Sequence, residues 1–174
     1  MGGNMRRWIL AAILLIMVAV GFLLSVNGLQ AHPYSGAQLE STFLAQAGQN
    51  GLMVEDEISL LSKEHGNSKI YLMQDNQGKH AWAIYVMTPL TGNYKMEVFD
   101  TDANADITTP VTYQINDGLL AYDITINCTE PMDIIGGTTK NVVTVKLFTM
   151  SFAIVVIMAI TLFGYVKDKA SHKF

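Results

Sequence analysis

Apolar residues are distributed along this chain in two ways. From Trp8 to Val26 and from Leu147 to Val166 they run almost unbroken, whereas between those stretches they recur at helical or strand spacing. The terminal runs are 19 and 20 residues long and carry no charge. At about 1.5 Å per helical residue, each reaches roughly 30 Å, the hydrocarbon thickness of a bilayer. The first holds twelve Leu, Ile, Val or Phe residues and the second eleven. Each contributes roughly 0.3 to 0.6 kcal/mol toward insertion, and a single charge at mid-helix would oppose it by about 3 kcal/mol. The pattern therefore predicts two transmembrane helices, 8–26 and 147–166.

Between them, the spacing predicts helices first and strands afterwards. Ser35 followed by Gln38 is a capping-box pattern, and Leu39, Phe43 and Ala47 fall on one helical face before Gly48, which gives a helix over about 36–47. Glu55, Asp56 and Glu57 fit the first turn of a second, short helix ending near Glu64, with Ile58 and Leu61 as its stripe. From Lys69 the period changes to two. Segments 69–75, 79–87, 94–100, 111–115 and 119–127 are rich in β-branched and aromatic residues and are separated by turn residues such as Asn76-Gln77-Gly78 and Asn116-Asp117-Gly118. Short links exclude parallel crossovers, so the expected fold class is α+β, with N-terminal helices packed on an antiparallel meander sheet. The stretch 130–146 leads back to the second span, with 141–145 as an extra strand.

Charge sets the expected orientation. Arg6 and Arg7 precede the first span, Lys167, Lys169 and Lys173 follow the second, and basic flanks stay cytoplasmic. Segments 1–7 and 167–174 are then cytoplasmic, and 27–146 is extracytoplasmic. That central segment carries 14 acidic and 6 basic side chains, a formal charge of −8, which disfavours nucleic acid and anionic headgroups as partners. A cleaved signal peptide is the competing reading of the N-terminus. Its apolar core would be long, and Leu29 would be bulky at the −3 position, so an uncleaved anchor is preferred.

Candidate chemistry is sparse. Asp100, Asp102, Asn104 and Asp106 put oxygen-bearing side chains on alternate residues, as in the first half of a calcium loop, but Ala105 stands where glycine belongs and Val111 where a closing Glu belongs. The ordinary alternative is a solvated hairpin loop, and no cofactor other than calcium is suggested. Cys128 is the single cysteine, which leaves no intrachain disulfide. Cysteine transpeptidase chemistry needs a base and a stabiliser of the developing oxyanion; in the sortase family the latter is an arginine downstream of the Cys, and no arginine follows Arg7. Met53, Met73, Met87, Met96, Met132, His32, His65, His80 and Cys128 are soft-metal ligand types, but none forms a tight motif, and core filling is the expected role of the methionines. Asn127-Cys128-Thr129 matches the N-glycosylation pattern, a frequent chance match.

Trp82 and Tyr85 lie on a strand that is apolar on both faces, with Tyr71, Tyr94, Phe99, Tyr113 and Tyr122 on its neighbours. Such a strand is covered on both sides, by the helices on one and by something else on the other. Trp82 and Tyr85 are accordingly the candidate partner-binding residues, against the plainer reading of an ordinary core. Neither span contains an acid, base or histidine, so the chain has no ion path of its own. The expected function is that of a non-enzymatic accessory or scaffold protein, integral in the cytoplasmic membrane, whose acidic domain binds a membrane or extracytoplasmic protein in an envelope, secretion or transport complex. A sensor working through a separate partner and a metal-binding protein are the alternatives.

Overall fold

The computed structural model describes residues 2–27, 33–54, 58–102 and 108–171. It divides into a helical unit, formed by residues 1–26 and 142–174, and a central unit, 27–141.

In the central unit, a short 3-10 turn (Gly36–Gln38) leads into α2 (Leu39–Gln49), which buries Leu39, Phe43 and Ala47 at the predicted spacing. Ser35 stands at the N-cap position without a side-chain bond to a backbone N–H; its hydroxyl donates instead to Gln38 Oε1 at 2.9 Å. Among the described residues eight strands follow, β1 (Ser59–His65), β2 (Ser68–Gln74), β3 (His80–Met87), β4 (Tyr94–Asp102), β5 (Val111–Asn116), β6 (Leu120–Asn127), β7 (Asp133–Gly136) and β8 (Lys140–Asn141). They form two four-stranded antiparallel sheets rather than one meander. The first runs β1-β2-β3-β4; the second runs β5-β6-β7, with β8 also paired to β6.

The first sheet is the middle layer. Tyr71, Met73, Ala81, Ala83 and Tyr85 face α2 and meet Leu39, Phe43, Ala47 and Leu52. Ile70, Leu72, Trp82, Ile84 and Val86 face the other way and meet Ile115, Tyr122, Ile124, Ile126 and Ile134 of the second sheet. The unspecified cover that the two-faced apolar strand demanded is thus the chain's own second sheet. β3 is buried along nearly its whole length for this reason.

Two expectations fail here for identifiable reasons. The short helix ending at Glu64 is a strand over Ser59–His65, joined to β2 by the tight link Gly66-Asn67. Gly66 has φ +58, the left-handed conformation that two-residue hairpins demand. Residues 55–57, the expected first turn, lie outside the described residues. The extra strand over 141–145 is shorter and earlier: β8 covers Lys140–Asn141, and helix has already begun at Val143. β7 was not anticipated, because only Ile134 of its four residues is buried.

In the helical unit, α1 spans Gly2–Asn27 and α3 spans Val143–Ser171. Among the described residues one segment, Val143–Gly164, 22 residues of mean hydropathy 2.4, is long and apolar enough to cross a bilayer. The apolar part of α1, Trp8–Leu24, is shorter and falls at the lower limit for a span, so of the two helices expected to cross only α3 has the length and apolarity to do so among the described residues. The two helices lie side by side and antiparallel. Val18, Gly21 and Phe22, late in α1, share a groove with Val145, Thr149 and Ala153, early in α3; Trp8, Ala11, Ala12 and Leu15 share another with Ile157, Met158, Thr161 and Leu162.

Candidate functional site

Of the candidate residues, Trp82, Tyr85 and Asp102 are buried while Asp100 is exposed, so the described ones do not form one exposed site. β3 and β4 pair so that Trp82 stands opposite Asp100 and His80 opposite Asp102. The Trp82 indole N–H donates to Tyr113 Oη at 2.8 Å, and the Tyr113 hydroxyl donates to Asp100 Oδ2 at 3.2 Å. This short relay stitches the two sheets together and satisfies the polar end of a buried indole. Burial raises the Tyr113 pKa, a shift that the Trp82 N–H opposes.

Two positions along, His80 and Asp102 are both buried, with Nδ1 and Oδ2 3.8 Å apart, beyond hydrogen-bond reach. Among the described residues, neither ring nitrogen of His80 has a hydrogen-bond partner. Cys128 is buried, and that burial, with the Asp102 charge adding to it, lifts its thiol to about 11. A thiol so placed stays protonated at neutral pH and is not an activated nucleophile.

Of the calcium-loop set, Asp100 and Asp102 belong to strand β4, not to a loop. Asp100 Oδ1 accepts the Thr101 N–H at 2.9 Å while its other oxygen takes Tyr113, and Asp102 sits beside His80. Asn104 and Asp106 lie outside the described residues. Among the described residues, no three His, Cys, Asp or Glu side chains are close enough to share a metal ion. The soft-ligand candidates are dispersed: Met73 and Met96 lie in the helix-side core, Met132 and Cys128 in the inter-sheet core, and Met53 is exposed.

Trp82 and Tyr85 are also corrected. They are 1% and 0% exposed, pointing into opposite cores, so neither presents a surface to a partner. Tyr85 packs edge-on against Tyr34 and Tyr71 at 5.8 and 6.0 Å, and burial raises its pKa well above the ordinary tyrosine range. Their aromatic character had suggested anchors, but a strand apolar on both faces belongs in the middle layer.

What the surface does offer is a polar groove of about 380 Å³ on the outer face of the second sheet. The register explains it. Asn116, Ala121 and Lys140 form one rung across β5, β6 and β8, and Gln114 and Asp123 form the next, with Thr138 beside them. Ala121 is the short side chain that leaves the floor open among longer polar ones. Close by, Gly136 and Gly137 pack tightly: a Cβ on Gly136 would collide with His65 Nδ1, and one on Gly137 would lie 3.2 Å from Asp123. The Gly137 N–H donates to the Asp123 carbonyl at 2.8 Å and holds that crossing in place. Gln114, Asn116, Ala121, Asp123, Thr138 and Lys140 were not singled out from the sequence. The alternation of β5 and β6 about the Asn116-Asp117-Gly118 turn was the signal that places four of them on one face. Comparisons of this chain with protein-family models, with curated proteins and with solved structures found no match in any of the three.

Proposed function

We propose that this chain is a membrane-anchored, non-enzymatic accessory protein whose acidic sandwich domain binds a protein partner in an envelope, secretion or transport complex. In this reading both α1 and α3 cross the bilayer, both termini are cytoplasmic, and residues 27–141 are held on the opposite side. The observation that carries the proposal is the bracketing of a domain with two closed cores by two apolar helices that run antiparallel, side by side. A helix pair of that kind returns the chain to the side from which it started. The basic flanks Arg6, Arg7, Lys167, Lys169 and Lys173 support the orientation. Supporting the binding role is the outer face of the second sheet, where uncharged and charged polar side chains surround the groove.

The test is cross-linking of the full-length protein in intact membranes, followed by identification of the adducts. A specific membrane or extracytoplasmic protein should be captured through residues 33–141. Absence of any adduct other than lipid, with the domain accessible to the reagent, would overturn the proposal.

A further inference from the structure

The four sheet edges of the domain are not alike. An open edge offers unpaired backbone N–H and C=O groups to any extended chain, and natural sheets blunt such edges with charge, bulges, shortness or a covering segment. β1 carries Lys63 and Glu64 and is exposed at both. β4 carries Lys95, Glu97, Asp100 and Asp102, pairs with β3 through a register shift at Ile84/Tyr85, and is covered at its start by Tyr34, whose backbone exchanges hydrogen bonds of 2.8 and 2.9 Å with Tyr94. β7 and β8 share one edge but are four and two residues long. Among the described residues, β5 has none of these devices. Its sequence, Val111-Thr112-Tyr113-Gln114-Ile115-Asn116, contains no charge, proline or glycine, and it pairs without interruption on its β6 side only, among the described residues.

We infer that β5 is a docking strand, and that its occupant is an extended, lysine- or arginine-flanked segment of the partner protein, added antiparallel or parallel as a further strand of the second sheet. The inference rests on the proposal that the domain binds a protein, and it names where and by what chemistry. Backbone pairing supplies the attachment, and side-chain alternation supplies selectivity. Inward positions of the added strand would lie beside Val111, Tyr113 and Ile115, which calls for apolar residues there. Outward positions would lie beside Thr112, Gln114 and Asn116, next to the groove, which calls for polar ones. Charge selects a foreign basic segment over a second copy of this chain: two copies would each bring a formal −8 over residues 27–146 to the contact, Asp123 stands opposite Gln114 on β6, and Asp100 of the first sheet accepts from Tyr113.

The probe is a synthetic peptide of alternating Thr and Val flanked by lysines, added to the full-length protein in detergent, with amide hydrogen exchange as readout. Exchange across residues 111–116 should slow by about tenfold, while residues 59–65 of β1 are unaffected. The effect should vanish when alternate peptide nitrogens are methylated, weaken at about 1 M salt, where screening shortens to about 3 Å, and disappear in the double variant Thr112→Lys, Gln114→Lys at unchanged melting temperature. Protection at β1 or β4 instead, equal protection by the methylated peptide, or no protection at saturation would overturn the assignment. In membranes, a photo-reactive residue at Gln114 should capture the partner, and one at Ser62 should not. Capture through Ser62 alone would sink the docking strand and leave the accessory role standing; capture of a second copy through Gln114 would refute the foreign occupant; no capture from any position would remove both proposals.

Discussion

Asp75 illustrates how much one polar side chain organises. It ends the β2 side of a hairpin, 5% exposed, with Oδ1 accepting the N–H groups of Gln77 and Lys79 at 2.8 and 2.9 Å and Oδ2 that of Met53 at 3.2 Å. Burial pushes its pKa upward, but the three backbone donors and the Lys79 charge outweigh it, and the net shift is downward. A folded-state pKa below the unfolded one means that the contribution is present above about pH 4 and is lost as pH falls through the folded value. Asp75→Ala should therefore destabilise by about 2 kcal/mol at pH 7, measured by urea unfolding, with the difference from the parent shrinking below pH 4. An unchanged difference at low pH would place the effect elsewhere. Cys128 has the opposite sign. Its raised value, about 11, favours the neutral thiol in the fold, so stability is full below about pH 8.5 and declines as pH rises toward 11. Iodoacetamide should label it at pH 7 only in denaturant; labelling of the native protein at the denatured rate would contradict its burial. Asp75 was legible as the end of a strand before the Asn76-Gln77-Gly78 turn, but its reach to Met53, 22 positions earlier, was not, because only the fold brings that N–H to it.

At the level of elements, periodicity read correctly wherever a segment had a face to bury. β2 to β6 stand within two residues of their expected bounds, and α2 begins three residues later than expected because Gly36–Gln38 forms a 3-10 turn. The failure at Ser59–His65 came from Ile58 and Leu61, two apolar residues at a spacing that fits a helix but too few to establish one, while the Gly66-Asn67 turn was the better signal. Gly66 is where that hairpin is most sensitive. A Cβ there would lie 2.6 Å from the Tyr122 ring, on a backbone already at φ +58. Gly66→Ala should cost about 2 kcal/mol or more, seen as a lowered denaturation midpoint, and a neutral result would mean that the hairpin relaxes around it. Tyr122 is held from its other side by Ser68, oxygen to oxygen at 2.6 Å, and burial lifts its hydroxyl to about 12. The β4–β5 connection carried the calcium expectation. With Asp100 given to Tyr113 and Asp102 beside His80, millimolar calcium should leave the melting temperature within about 1 °C; a rise of several degrees would show that a bound ion stabilises the fold.

For the whole molecule, the discriminating experiment concerns α1, whose apolar run is the shorter of the two. If both helices span, alkaline carbonate should leave the full chain in the membrane, and should do the same for a chain ended after Asn141. Release of that shortened chain into the supernatant would confine membrane anchoring to α3.

By itself the sequence determined the two apolar ends, the order of helix before strands, the antiparallel pairing and the fact that the β3 strand is covered twice. All of these are local or periodic properties, set by which side chains avoid water and at what spacing. Only the tertiary structure decided that the second cover is the chain's own β5–β8 sheet, that Trp82 and Tyr85 are interior, and that Ala121 floors a polar groove. Those outcomes depend on which distant strands meet, and pairing between residues far apart is governed by the fit of whole faces, which no single segment carries in its own pattern.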